Sequence, residues 1–175
     1  MLLSRTQLLA FGTAAGAIGF PLLGTFAAAA QTADPGDIDT LNTAISIERA
    51  GIKAYADAAA TGLLSKPVLV LAQRFVADHT AHRDALIGAV RAAGAVPSEA
   101  IAPIAVPPLA SERDVLAFAN VVEMKAASTY LSVIPDLHDR ALAGVAAAIL
   151  GVETTHVALL AEALGTRVYA TGFVA

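Results

Sequence analysis

Ile38, Leu41, Ile45, Glu48, Ile52, Tyr55 and Ala59 recur at intervals of three and four, the spacing of one face of an α-helix, and a glutamate stands in the middle of that apolar seam. The pattern returns as Leu116, Ala119, Glu123, Ala126 and Tyr130, and again as Leu142, Val145, Ile149, His156, Leu160 and Ala163, with Glu153 one turn before His156. A fourth line, Leu71, Phe75, His79, His82 and Leu86, carries two histidines. An ionised carboxylate left unpaired in a core costs several kcal/mol, against a domain stability of about 5–15 kcal/mol. Any fold that buries these seams must therefore give three glutamates a positive partner. A bound cation is one such partner.

The polar residues are also doubled. Glu48 and Tyr55 stand seven positions apart, as do Glu123 and Tyr130, and a histidine follows each glutamate, 34 positions on at His82 and 33 at His156. Two helix pairs carrying the same carboxylates and imidazoles suggest a metal site. The competing reading of the same residues is a buried polar network without metal, with Tyr55 and Tyr130 as plain core aromatics.

Composition narrows the choice. The chain has 175 residues, 57% hydrophobic and 15% charged, enough for one domain with a real core. Much of the apolar content is alanine, which favours helix, and strand signals are nearly absent. A formal charge of −4 without runs of lysine or arginine argues against nucleic acid as a partner. With no cysteine in the chain, disulfides, thiolate metal sites and protein-held iron–sulfur clusters are excluded. Any metal is held by nitrogen and oxygen.

Residues 1–30 read as an export signal. Arg5 precedes an uncharged stretch from Thr6 to Ala30, and Ala28 and Ala30 fit a small-residue cleavage site, so the mature chain is expected to begin near Gln31. The Ser4-Arg5-Thr6 start resembles a twin-arginine signal in which Thr6 takes the place of the second arginine. An uncleaved membrane anchor is the alternative.

Asp37, Asp39 and Thr40 supply caps for a first helix over residues 38–60, and Ser65 with Pro67 starts a second that Gly94 ends. Residues 94–110 contain Pro97, Pro103, Pro107 and Pro108, a density that favours an extended connection. Ser111 caps a third helix, with Asp114 completing a capping box, and Pro135-Asp136 separates it from a fourth that stops at Gly165. Short loops make two antiparallel hairpins. The seventeen-residue stretch between them spans up to ~55 Å when extended, more than the ~35–40 Å of a 25-residue helix, so the second and third helices run parallel. The apolar tail after Arg167 is left without an assigned element.

Over residues 38–164 the chain resembles the ferritin-like superfamily of carboxylate-bridged di-iron and di-manganese bundles. Glu123 and Glu153-Thr154-Thr155-His156 match its glutamate plus Glu-x-x-His pattern in full, and Glu48 and His82 match it in the first hairpin. The departure is at His79, where the family has a bridging glutamate; Asp78 is a weaker substitute because it points about 100° away round the helix. The resemblance implies an all-α four-helix bundle at residues 31–175. It also implies Glu48, His82, Glu123, Glu153 and His156 as ligands of two iron or manganese ions, with Tyr55 and Tyr130 beside them; His79 is the candidate ligand in place of the missing glutamate, whose loss leaves an asymmetric pair, a single metal or no metal as outcomes.

The function expected on this basis is that of an exported, periplasmic or envelope di-metal protein with an oxidase, peroxide or iron-handling role, without haem. Its partners are metal ions, and a homodimer is compatible with it; a membrane is a partner only if the N-terminal segment stays attached. The alternative is a non-catalytic envelope bundle for stress protection or interaction, its site structural or vestigial.

Overall fold

Asp34 opens the first helix by accepting a 2.8 Å hydrogen bond from the Gly36 N–H, and Pro35 sits in the first turn, where its missing N–H costs nothing. The computed structural model describes residues 34–166. Within them lie α1 (Pro35–Ala60), α2 (Lys66–Ala92), α3 (Glu112–Val133), a 3₁₀ turn (Ile134–Asp136) and α4 (Arg140–Leu164), with no strand among the described residues. The expected export signal, its cleavage site and the apolar tail from Arg167 onward lie outside the described residues.

Most boundaries fall where the caps predicted them. Ser65 precedes α2 with Pro67 in its first turn, and the Ser111 hydroxyl accepts from the Asp114 N–H, while Asp114 accepts in return from the Ala110 N–H. Gly94 and Gly165 close α2 and α4 at φ of 77° and 69°, a left-handed geometry that glycine adopts without steric penalty.

The start of α1 departs from expectation. The helix begins at Pro35, three residues early, and Asp39 and Thr40 lie inside it. Asp37 is not its cap. Its buried carboxylate reaches across the bundle and accepts the His138 N–H at 2.9 Å and the Asp139 N–H at 2.8 Å, tying the start of α1 to the turn that launches α4. Burial would raise its pKa, but these bonds to His138 and Asp139 outweigh that and hold it below the usual value.

α1 packs along α2 and α3 along α4, and the two hairpins meet through α1 on α3 and α2 on α4. The direction of each pair follows from its contacts. Tyr55 and Glu48 of α1 bond Glu123 and Tyr130 of α3 in reverse order, and Asp78 and His82 of α2 approach His156 and Glu153 of α4 likewise. α1 and α2 are also antiparallel, since Glu48 meets His82 while Tyr55 meets Phe75. Helices α2 and α3 therefore run parallel, as the long connection requires. That connection is held to α1 by the Asn42 side chain, which accepts from Ser98 N–H, by the Ala102 N–H donating to the Ser46 carbonyl, and by the Arg49–Glu99 ion pair.

The core has two apolar clusters with a polar layer between them. One gathers Leu41, Ile45, Leu86, Val90 and Ile149 around Tyr130, the other Phe75, Leu116 and Leu160 around Tyr55. By length and composition α4 is apolar enough to cross a membrane, but its buried face carries Glu153 and His156 into that polar layer.

Replacing Asp37 by alanine leaves two backbone N–H groups unpaired, so Asp37→Ala is expected to destabilise the fold by about 1–3 kcal/mol in urea unfolding. The exposed cap at Asp34 serves a single N–H, and Asp34→Ala is expected to cost about 1 kcal/mol or less. Equal losses for the two would contradict the long-range role of Asp37.

Candidate metal centre

The polar layer contains all six residues singled out as ligands. Glu48, His79, Glu123, Glu153 and His156 are each at most 2% exposed, and His82 is 8% exposed. Their donor atoms fall into two groups that share two members: Glu48, His79, His82 and Glu153 on one side, and His79, Glu123, Glu153 and His156 on the other. Each hairpin thus contributes a glutamate and a histidine of its own. His79 and Glu153 belong to both groups.

His79 lies between two carboxylates. Its Nδ1 is 2.7 Å from Glu48 Oε2 and its Nε2 is 3.2 Å from Glu123 Oε1, so the ring donates to both only as an imidazolium. The approach depends on Gly51. A Cβ at that position would stand 3.1–3.2 Å from the His79 ring, closer than a relaxed contact. The α1 seam accordingly passes through Gly51, Tyr55 and Ala58, with Ile52 and Ala59 only half-buried.

The two tyrosines make reciprocal bonds across the hairpins. Tyr55 Oη donates to Glu123 Oε1 and Tyr130 Oη to Glu48 Oε1, each at 2.5 Å. Burial, and then the adjacent Glu123 for Tyr55 and Glu48 for Tyr130, raise both phenols well above their ordinary pKa, so both remain protonated donors. They act as positioning groups for the glutamates.

Asp78 does not replace the missing glutamate. It is half-buried at the rim, pairs with Arg74 at 2.9 Å, and lies 3.3 Å from His156 Nε2. That contact leaves Nδ1 of His156 facing Glu123 Oε2 at 3.2 Å and Glu153 Oε2 at 3.5 Å, the carboxylate-backed arrangement common for ligating histidines. Phe75 stacks on the same ring with centroids 3.8 Å apart. The roles of Gly51 and Phe75 escaped the sequence reading. A glycine three residues after Glu48, in the buried seam of a helix, was the available signal for the first.

Glu153 is the least satisfied group. It is 0% exposed, yet neither of its oxygens has a hydrogen-bond partner, and the same holds for His82 Nδ1, which lies 3.0 Å from Glu153 Oε1 but off the line of a hydrogen bond. Burial, with Glu123 alongside, pushes the Glu153 carboxyl up. In the other glutamates burial is outweighed: the bond from His79 and the nearby positive charge of His82 hold Glu48 down to about 2, and His156 and His79 hold Glu123 below the usual carboxylate range. Burial opposes protonation of the three imidazoles, but the glutamates prevail and raise His79 to about 11 and His82 and His156 to about 9.

A carboxylate with both oxygens orphaned, flanked by imidazole nitrogens and two further carboxylates, is chemically suited to a divalent transition ion. The donor set is oxygen and nitrogen only. A third acidic group, Asp34, Asp37 and His138, is partly exposed, and both Asp37 oxygens are already committed to backbone N–H groups.

The sequence profile of the ferritin-like domain family matches residues 36–166, the whole of the bundle and every residue of the centre. Among solved structures, the conserved hypothetical protein rv2844 of Mycobacterium tuberculosis is similar, with a TM-score of 0.66 and 22% identity over 78% of this chain and 96% of that one. At that identity the likeness concerns the fold alone. No curated protein matches the chain.

Without metal, His82 and His156 bind their protons more tightly folded than unfolded. The stability they add is complete below the unfolded value of 6.5 and is lost as the pH rises through about 9. Glu153, with its raised pKa, works in the same direction. The melting temperature of chelator-treated protein is therefore expected to fall steadily between pH 6.5 and 9. A flat profile would contradict the charged network. A second expectation concerns Gly51: Gly51→Ala should fall short of the gain of about 1 kcal/mol usual for this change in a helix, and the full gain should return when it is made in a His79→Ala background.

Proposed function

Because the chain belongs to the ferritin-like domain family, we propose that its buried glutamate and histidine cluster holds two transition-metal ions, iron or manganese, and serves oxidase, peroxide or iron-handling chemistry in an exported protein. The observation that carries this reading is Glu153, fully buried with two unpartnered oxygens at the junction of the two donor groups. Export to the periplasm or envelope is supported by the composition of residues 1–30.

In this reading Glu48 and His82 hold one ion and Glu123 and His156 the other, with Glu153 and His79 between them. Bound iron or manganese supplies the electron transfer that dioxygen or peroxide reduction requires. The chain's own residues position and protect. Tyr55 and Tyr130 fix the glutamates, Asp78 and Phe75 fix the His156 ring, and the apolar clusters on either side restrict water.

One observation favours a second reading. His79 spans Glu48 and Glu123 and can balance them as an imidazolium without metal, as a non-catalytic bundle for stress protection or interaction would require.

Metal binding discriminates between the readings. Protein purified without chelator is expected to carry iron or manganese, and less than about 0.2 equivalents with no uptake of added Fe(II) would overturn the metal reading. Since the imidazoles must surrender protons to bind metal, uptake is expected to release about one to three protons per chain near neutral pH and to weaken as the pH falls. Calorimetry in two buffers of different ionisation enthalpy measures that number. Glu153→Ala is expected to lower both metal content and Fe(II) oxidation; unchanged oxidation would place the activity elsewhere.

A further inference from the structure

The same approximate two-fold that doubles the centre also generates two grooves between α1 and α3. Adding 75 to a residue of α1 gives its counterpart on α3, as Glu48 gives Glu123 and Tyr55 gives Tyr130. One groove, beside Tyr55, is lined by Ala54, Val115, Phe118 and Val122 and has only ≈ 10 Å³ of open space. The other, beside Tyr130, is lined by the counterparts Thr129, Thr40, Thr43 and Ile47 and opens to ≈ 200 Å³.

Side-chain size explains the difference at one position. Ala54, Ala58 and Val122 are smaller than their counterparts Thr129, Val133 and Ile47, which alone would make the groove beside Tyr55 the roomier one. Phe118 reverses this, because its counterpart is Thr43. The bundle fills one groove with a phenyl ring and leaves a ring-sized space at the equivalent place. An apolar cavity of about 150 Å³ accommodates benzene, so the open groove has room for one substituted ring and little more.

Two of the three threonine hydroxyls there are already committed as donors. Thr43 donates its proton to the Asp39 carbonyl at 2.9 Å and Thr129 to the Lys125 carbonyl at 2.8 Å, which leaves their oxygens free to accept, while the Thr40 hydroxyl can donate or accept. The Asp39 carboxylate at the rim adds negative charge, while Ala44, Ile47, Val133 and the Tyr130 ring supply apolar walls. Such a surface repels anions and matches an aromatic ring bearing O–H donors.

We propose that this groove binds a small neutral phenol, one ring with one or two hydroxyl groups, against Tyr130. The site lies outside the metal cluster and stands whether or not that cluster is loaded. Through Tyr130, which holds Glu48, a bound ring sits one hydrogen bond from the polar layer on one side of the bundle only.

Equilibrium dialysis of resorcinol against the full chain tests this. About one ring should bind per chain, with a Kd on the order of 1 mM, and 1,3-dimethoxybenzene, which lacks donors, should bind at least about fivefold more weakly. Thr43→Phe, which copies the filled groove, should weaken resorcinol at least about tenfold while leaving the circular dichroism spectrum unchanged. Phe118→Thr, which opens the counterpart, should raise the capacity to about two rings per chain, so the idea remains testable if Thr43→Phe does not fold. Chelation should change none of these values, which separates failure here from failure of the metal reading. Absence of binding, equal binding of the dimethoxy compound, or unchanged capacity in Phe118→Thr would each overturn the proposal.

Discussion

Three carboxylates with almost no exposure to water must be matched by positive charge at the centre of the bundle, and the rest of the architecture is arranged around that requirement. Glu48, Glu123 and Glu153 come from three different helices, so no single hairpin can satisfy them. The match requires His79 and His82 from α2 and His156 from α4, all converging on one layer. Apolar packing above and below holds the layer closed, which strengthens each attraction inside it and makes any unpaired charge there costly.

The crossed tyrosine bonds carry this constraint between the hairpins. Tyr55 belongs to the first hairpin and bonds the glutamate of the second; Tyr130 does the reverse. Each phenol also sits in one of the two apolar clusters, so the same side chain that orients a carboxylate is packed into the core by its ring. Asp37 provides a further tie at the end of the bundle. The three links join hairpins that are joined covalently only through the long crossover, and with the histidine contacts they fix the register in which the polar layer forms.

The fold was legible because its signals are local. Prolines after Gly94, the Ser111 cap and the three- and four-residue spacings are read within a few positions, and loop length then decides which helices run parallel. That Glu48, His79, His82, Glu123, Glu153 and His156 share one buried layer was legible for a related reason: charged groups in an apolar seam have nowhere else to go. What escaped depends on distance in sequence. Asp37 reads as a local cap because nothing in its neighbourhood reveals His138 and Asp139 a hundred positions on. Likewise Asp78 reads as a spare ligand until His156 is seen beside it, and Gly51 is an ordinary small residue until the His79 ring is seen to crowd the place of its missing Cβ. The seam shift from Ile52 to Gly51 and from Ala59 to Ala58 is the drift of a 3.6-residue helix against a coarse three-four pattern.

The exchange of glutamate for His79 changes the charge of the layer more than its shape. A fourth carboxylate between Glu48 and Glu123 would leave four buried carboxylates in a metal-free bundle, with only His82 and His156 to balance them. His79 instead brings a proton to the same place, bonded to both glutamates. Under the proposed metal reading, protons on the imidazoles and metal ions would be alternative cations for one set of carboxylates, and loading the centre would be an exchange rather than the filling of a void. The exchange is uneven across the pseudo-two-fold. Glu48 is the closer to His79, at 2.7 Å against 3.2 Å for Glu123, and its other oxygen is held by Tyr130. That tyrosine is also the one beside the open groove, whereas Tyr55 faces the groove that Phe118 fills. The departure from symmetry in the layer and the departure at the surface therefore fall on the same side chain. Tyr130 thus links the open groove to Glu48, the carboxylate nearer to His79.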